Sequence, residues 1–289
     1  MERAKGILYA ALSSSTFGLA PLFTLLLLGL GYSSFEVLSY RWGVASLFLG
    51  ALALLAGRSF RLSWPELRTV FFLSLFRAAT SLSLVIAYQH IASGVASTIH
   101  FMYPLAVALA MMCFFREKGS VWVFAAIGMS IVGAVLLSLG NVDFTRGNTT
   151  LGMVSAAVSV VSYGGYIVGV RKSRAVGIDS TVLTCYVMGL GALYFIAGGL
   201  VTGGIRIETD GTAWLCILGV ALPATAVSNM TLVQAIKRIG PTLTSVFGAL
   251  EPLTAVVIGE PFTVQGAAGI LLIVAAVTIV ILHSGRRKA

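Results

Sequence analysis

The sequence predicts an all-α membrane protein of ten transmembrane helices, arranged as two inverted five-helix repeats. Three observations predict it. The chain of 289 residues is 58% hydrophobic and only 10% charged, which no soluble globular domain matches. Its basic residues fall in alternate gaps between the apolar stretches. Its two halves also match residue by residue at nearly constant offsets.

The apolar stretches run over 6–28, 35–56, 67–89, 94–115, 120–140, 151–170, 180–203, 212–236, 241–259 and 263–283. Each is close to the roughly 20 residues that an α-helix needs to cross hydrocarbon. Ten of them use about 200 residues, so there is no room for a soluble catalytic or regulatory domain. The first stretch follows a basic start, as a signal peptide would. It is too long for an h-region and no small-x-small cleavage site ends it, so it reads as a true span. The ninth, Pro241 to Gly259, is the shortest and just spans the core at about 28 Å, with ~1.5 Å of rise per residue.

The gaps assigned to the inside hold Arg3 and Lys5; Arg58, Arg61 and Arg68; Arg116 and Lys118; Arg171, Lys172 and Arg174; Lys237 and Arg238; and Arg286, Arg287 and Lys288. The outside gaps hold only Arg146 and Arg206, while Arg41 and Arg77 lie within apolar stretches. Basic loops stay cytoplasmic, so both termini are expected inside, in a bacterial-type inner membrane. The net charge of +9 therefore serves orientation and contact with anionic lipid, and no nucleic-acid partner is expected. Cys113, Cys185 and Cys216 lie in spans without CxxC or Cys/His spacing. They read as small buried apolar residues, and neither a metal nor a cofactor is expected.

The internal repeat divides the chain at 1–144 and 145–289. At an offset of 146, Gly6, Ala10, Ala11, Ser13 and Gly18 meet Gly152, Ala156, Ala157, Ser159 and Gly164, and Phe17 meets Tyr163. At 148, Thr80-Ser81-Leu82-Ser83 meets Ser228-Asn229-Met230-Thr231, and Ser97, Pro104 and Leu105 meet Ser245, Pro252 and Leu253. At 143, Glu117 and Val121 meet Glu260 and Val264. An odd number of spans per repeat makes the second repeat enter the membrane from the opposite side. That architecture belongs to secondary transporters, which hold substrate near the midplane at the repeat interface. The distance from Pro252 to Glu260 is five residues shorter than that from Pro104 to Glu117, which shortens the end of the ninth span.

These features resemble the drug/metabolite transporter superfamily in its ten-span EamA-type exporter branch, and more loosely its bacterial amino-acid exporters. The resemblance is carried by Ala92-Ser93-Gly94-Val95-Ala96-Ser97 leading to Tyr103-Pro104-Leu105 and Glu117, and by Ile239-Gly240-Pro241 leading to Leu250-Glu251-Pro252-Leu253 and Gly259-Glu260-Pro261. It implies a central cavity surrounded by spans 1, 3, 4, 6, 8 and 9.

The polar residues fall on those spans. Ser13, Thr16 and Phe17 share a face of span 1, and Ser159, Ser162, Tyr163 and Tyr166 a face of span 6. Spans 3 and 8 add Thr80, Ser81, Ser83, Ser228, Asn229 and Thr231; Ser97, His100 and Pro104 align on span 4, with Tyr103 beside them, and Ser245, Gly248 and Pro252 on span 9. Lining a cavity is one reading of these hydroxyls; bonding between helices is the other. Together they describe a mildly polar, mostly neutral chamber for an amphiphilic small molecule, an amino acid before a phosphate or a metal ion. Glu251 is the single carboxylate near mid-span. It is read as a proton or substrate-amine site, as an ion-pair partner of Arg77 or Arg41, or as a hydrogen-bonded protonated acid that holds the helix. Arg77, placed near the inner end of span 3, is read as snorkelling to the interface or as binding a substrate carboxylate. His100 is read as a titrating group or a hydrogen-bonded packing residue. Pro21, Pro104, Pro223 and Pro252 interrupt their spans, with Pro104 and Pro252 as candidate hinges.

The function expected is export of small metabolites, amino acids including aromatic ones, by alternating access. Proton exchange and downhill facilitation both stay open. A broad exporter of amphiphilic or cationic drugs is the alternative within transport. An intramembrane enzyme is disfavoured, because no HExxH, HxxxxD or paired-aspartate arrangement occurs in the spans. ATP-driven pumping is disfavoured as well, because there is no GxxxxGK[ST].

Overall fold

The computed structural model describes residues 2–138, 147–251, 254 and 264–285. Among them every regular element is a helix. In chain order these are α1 (Glu2–Phe17), α2 (Ala20–Gly29), α3 (Ser34–Leu55), α4 (Trp64–His90), α5 (Ser93–His100), α6 (Tyr103–Phe115), α7 (Val121–Ser138) and α8 (Thr149–Lys172). They continue as α9 (Ser180–Thr202), α10 (Gly211–Ala221), α11 (Ser228–Ile239), α12 (Pro241–Val246) and α13 (Val264–Gly285). Among the described residues seven stretches are long and apolar enough to cross a membrane: Glu2–Gly29, Ser34–Leu55, Trp64–His90, Val95–Phe115, Thr149–Lys172, Ser180–Thr202 and Gly211–Ile239. Val121–Leu136 and Ala267–Ile279 are shorter apolar helices. The expected end of span 9, with Pro252 and the shortened approach to Glu260, lies outside the described residues, as do Arg146 and the basic run 286–288.

Local chemistry sets the helix starts. Ser33 and Glu36 form a reciprocal capping box at α3, and Ser63 and Glu66 do the same at α4. Asn148, Asp179 and Asp210 accept backbone N–H bonds at the starts of α8, α9 and α10.

Three spans are broken, each beside a proline. A proline cannot donate to the carbonyl four residues back, and its ring crowds that carbonyl. For Pro21 that residue is Phe17, where α1 stops; for Pro104 it is His100, where α5 stops. Around Pro223 the chain widens into a π-helical turn, Leu222–Val227, between α10 and α11. In span 9, α12 passes into a 3₁₀ turn, Phe247–Ala249, just before Glu251.

The most extensive helix pairings are α3 with α9, α7 with α13, α4 with α8 and α1 with α11. Moving each partner on by five spans carries this set onto itself. Single contacts obey the same relation. A Cβ on Gly6 would meet Ile239 at 2.5 Å, and one on Gly152 would meet Ile91 at 2.7 Å. Phe17 stacks on Tyr163, its counterpart at offset 146, with centroids 6.3 Å apart.

The α3–α9 pair is antiparallel and fastened at both ends. Arg206, beyond the end of α9, pairs with Glu36 in the first turn of α3 at 3.1 Å. Arg58, beyond the end of α3, pairs with Asp179 at the start of α9 at 3.6 Å. The loops contact each other in two sets. Glu2 meets Arg238, and Thr242 meets Glu117, on the face that carries the N-terminus. Ser34 meets Gln89, and His90 meets Asn148, on the opposite face. These two sets are the ones separated by the basic-residue pattern.

Candidate functional site

The breaks converge on one buried cluster. Phe17 at the end of α1, His100 at the end of α5, Tyr103 at the start of α6 and Tyr163 on α8 form a contiguous aromatic column. His100 lies 5.3 Å from Tyr163 and 5.4 Å from Tyr103, and Tyr103 meets Tyr163 edge-on at 4.6 Å. At one end of the column the Tyr103 hydroxyl donates to Glu251 Oε1 at 3.1 Å. Tyr103 and Glu251 stand 148 positions apart, the offset that aligns Pro104 with Pro252 in the sequence.

Two arginines occupy the other end. Arg77 is only 1% exposed, and its guanidinium carbon sits over Tyr163 at 5.0 Å, Phe17 at 5.4 Å, Trp42 at 5.9 Å and Tyr166 at 6.0 Å. It donates from Nε to Asn229 Oδ1 at 2.8 Å and from Nη1 to Ser81 at 3.3 Å. Arg41, 4% exposed, approaches Phe17 at 5.7 Å and donates from Nε to Thr225 Oγ1 at 2.6 Å. The π-helical turn makes this join possible. It lets the Thr225 hydroxyl donate to Val220 O, five residues back, at 2.7 Å, while Asn229 Nδ2 donates to Thr225 O at 2.8 Å. One distorted turn thereby orients partners for both guanidiniums. Neither arginine is ion-paired among the described residues.

Three expectations are corrected here. Arg77 is not near the inner end of its span and does not snorkel: it stands midway along α4 and points into the core. Four aromatic faces and an amide receive the charge there, so it need not reach for water. The chamber is not mostly neutral, because Arg41 joins Arg77. Glu251 pairs with neither arginine among the described residues and is held by a phenol.

The other expected residues divide. Thr80 donates to Ser162 at 3.0 Å across α4 and α8, Ser13 donates to Ser228 O at 2.8 Å across α1 and α11, and Ser159 meets His100 Nδ1 at 2.8 Å. These tie helices together at the cluster. Thr16, Ser83 and Ser245 turn their hydroxyls back to carbonyls of their own helices, and Ser97 meets only Tyr88 at 3.4 Å. Thr16, Ser83 and Ser245 thus make ordinary bonds within their own helices, while Ser97 joins α5 to α4. Pro104 marks an interruption of its span as expected; Pro252 lies outside the described residues.

Ser159 Oγ lies 2.8 Å from His100 Nδ1 and 2.6 Å from Ala156 O on its own helix; the imidazole tautomer sets which atom donates across the contact. His100 Nε2 has no partner among the described residues.

Open space is unevenly distributed. A cleft of about 400 Å³ lies on the N-terminal face, lined by Met111, Glu117, Lys118, Trp122, Arg238 and Leu243 among others. Beside the arginines the cavity is only about 10 Å³, bordered by Phe17, Thr24, Arg41, Arg77, Ser81 and Tyr88. That is room for about one water. Gly248 lets Tyr103 approach the span 9 backbone closely. A Cβ there would lie 1.7 Å from Tyr103 Oη. Gly248→Ala is expected to push Tyr103 off Glu251 and cost about 1–3 kcal/mol by overpacking. A thermal unfolding midpoint equal to the parent's would refute this.

Arg41 and Thr225 were missed by sequence reasoning. Arg41 carried a signal, an unexplained arginine in an apolar stretch, but Thr225 joins it only through the π-helical turn.

This fold and this buried polar centre define a multi-pass membrane transporter. The sequence matches the EamA-like transporter family over residues 4–139 and again over 150–282, and the chain belongs to that family. Its relatives include the uncharacterized transporter YojE of Bacillus subtilis (strain 168), 26% identical over 283 residues, covering 91% of this chain and 88% of that protein. An uncharacterized transporter of Archaeoglobus fulgidus is 24% identical over 238 residues, covering 81% of this chain and 83% of its own. A solved structure, titled only as the crystal structure of a protein, shares the fold with a TM-score of 0.77 at 20% identity, over 100% of this chain and 99% of that one.

Proposed function

We propose that the chain is a secondary carrier exporting small amphiphilic metabolites, amino acids and particularly aromatic ones, by alternating access between two inverted five-helix repeats, 1–144 and 145–289. The observation that carries this reading is the convergence of the broken helices on one buried cluster holding Phe17, His100, Tyr103, Arg77 and Glu251. Discontinuous helices meeting at mid-depth are how carriers build a site that both faces can reach. The inverted relation is supported by the self-mapping helix pairings, by the matched Gly–Ile contacts, and by the separate family matches to each half. The basic loops favour the N-terminal face as cytoplasmic, in a bacterial-type inner membrane. Amino acids are favoured by aromatic rings lying between guanidiniums and a carboxylate. The same arginines speak against a cationic drug.

The test is uptake of labelled solutes into proteoliposomes, with and without a pH gradient. The panel holds aromatic, branched and small amino acids, a cationic drug and a nucleoside. Saturable amino-acid uptake is expected. If it needs the gradient and Glu251→Gln abolishes it, Glu251 is the proton-coupling group. If uptake runs without a gradient and survives in that variant, the carrier is a facilitator and Glu251 is structural. No uptake of any amino acid would overturn the substrate reading.

A further inference from the structure

We propose that Arg41, together with Arg77 across the Phe17 ring, forms the subsite that takes the carboxylate of the transported solute. The proposal rests on the transport reading and names the group by which the site selects its substrate. Both guanidiniums are buried and lie over one ring, at 5.7 and 5.4 Å from the Phe17 centroid. Two like charges held this close in an apolar interior repel, and nothing acidic among the described residues ion-pairs with either. A buried arginine kept for structure alone is normally paired or fully bonded. Arg41 is neither: its Nη2 has no hydrogen-bond partner among the described residues. Arg41 borders the small cavity, and so does Thr24, whose Oγ1 is also buried without a partner. Unused donors around one cavity point to an acceptor that arrives with the substrate.

The donor set fits a carboxylate. It offers a free guanidinium N–H and a hydroxyl next to a second positive charge, enough for the two oxygens of a monoanion. A phosphate carries more charge and more oxygens, and would require further donors converging there. A lone cation is repelled by both arginines. Phe17 ends α1 at the break set by Pro21, and the one-water volume beside it must widen to admit the head group.

The experiment measures thermal unfolding of the full-length protein in detergent with 3-phenylpropanoate, phenethylamine, phenyl phosphate and L-phenylalanine as probes. The expected result is a midpoint that rises with 3-phenylpropanoate and not with phenethylamine. The apparent affinity should fall by about tenfold or more in Arg41→Gln, the loss expected for a bond to a charged group, and by less in Arg41→Lys. Stabilisation by phenethylamine equal to that by 3-phenylpropanoate would overturn the subsite. So would a preference for phenyl phosphate, an unchanged response in Arg41→Gln, or no response to 3-phenylpropanoate in the parent protein. The two readings fail separately. If 3-phenylpropanoate binds through Arg41 while L-phenylalanine neither binds nor is transported, the subsite stands and the amino-acid reading falls. If L-phenylalanine is transported and Arg41→Gln leaves its affinity unchanged, the transport reading stands and the subsite falls.

Discussion

An Arg77→Leu variant is expected to fold at least as well as the parent protein while losing transport. The reasoning separates stability from activity. Arg77 is fully buried, with no ion pair among the described residues, and is held by four aromatic faces, Asn229 and Ser81. Desolvating such a charge is costly, and replacing buried charges by apolar residues of similar volume is often neutral or stabilising. A residue kept only for the fold would show the opposite, a lowered midpoint. Its removal from a binding site forfeits bonds to a charged group, each worth about 1.5–3 kcal/mol, or roughly ten- to a hundredfold in apparent affinity. Proteoliposome uptake and a thermal midpoint, measured on the same preparation, decide it. A marked fall in the midpoint with uptake preserved per folded molecule would show that Arg77 serves packing.

Gly191→Ala is expected to lower both stability and transport. A Cβ at Gly191 would fall 2.1 and 2.2 Å from two carbons of the Trp42 ring. Trp42 is completely buried, packs edge-on against Phe195 at 5.2 Å and lies under Arg77 at 5.9 Å. The clash is with a completely buried ring, so either Trp42 or the spacing of α3 and α9 must shift. Overpacking of this kind costs about 1–3 kcal/mol. Displacing Trp42 would also move one of the faces that hold Arg77, so activity should fall beyond the loss of folded protein. A Gly191→Ala protein with parent-like midpoint and uptake would refute both steps.

Much of this was legible in the sequence because membranes enforce simple rules. Hydropathy marked the long spans, and the alternation of basic residues separated the two sets of loops that meet in the structure. The offset matches aligned Phe17 with Tyr163 as equivalent positions, which by itself implies no contact; that the two rings stack comes from the structure. The prolines located the breaks, because the lost bond always lies four residues back. The sequence was less informative where side-chain direction matters. Thr16, Ser83 and Ser245 share faces with the site residues, yet a hydroxyl on a helix has a carbonyl of its own within reach, and spacing cannot say which it prefers. Arg77 was read from its distance to a loop, although its stabilisation comes from aromatic rings on three other spans. Thr225 owes its role to a π-helical turn that displaces it from a regular helical face.

The two clasps of the α3–α9 strut carry a thermodynamic consequence. Each joins an acid at one helix start to an arginine beyond the other helix's end, at 3.1 and 3.6 Å. Arg58 and Asp179 are exposed, at 57% and 31% of their side-chain surface, and an exposed pair of that sort contributes about 0–1 kcal/mol. The two ends are fastened unequally, because Glu36 beneath Arg206 is only 10% exposed and also accepts from the Arg206 backbone N–H. Salt screens exposed charges more than buried ones, so rising ionic strength loosens the Arg58 end before the Arg206 end.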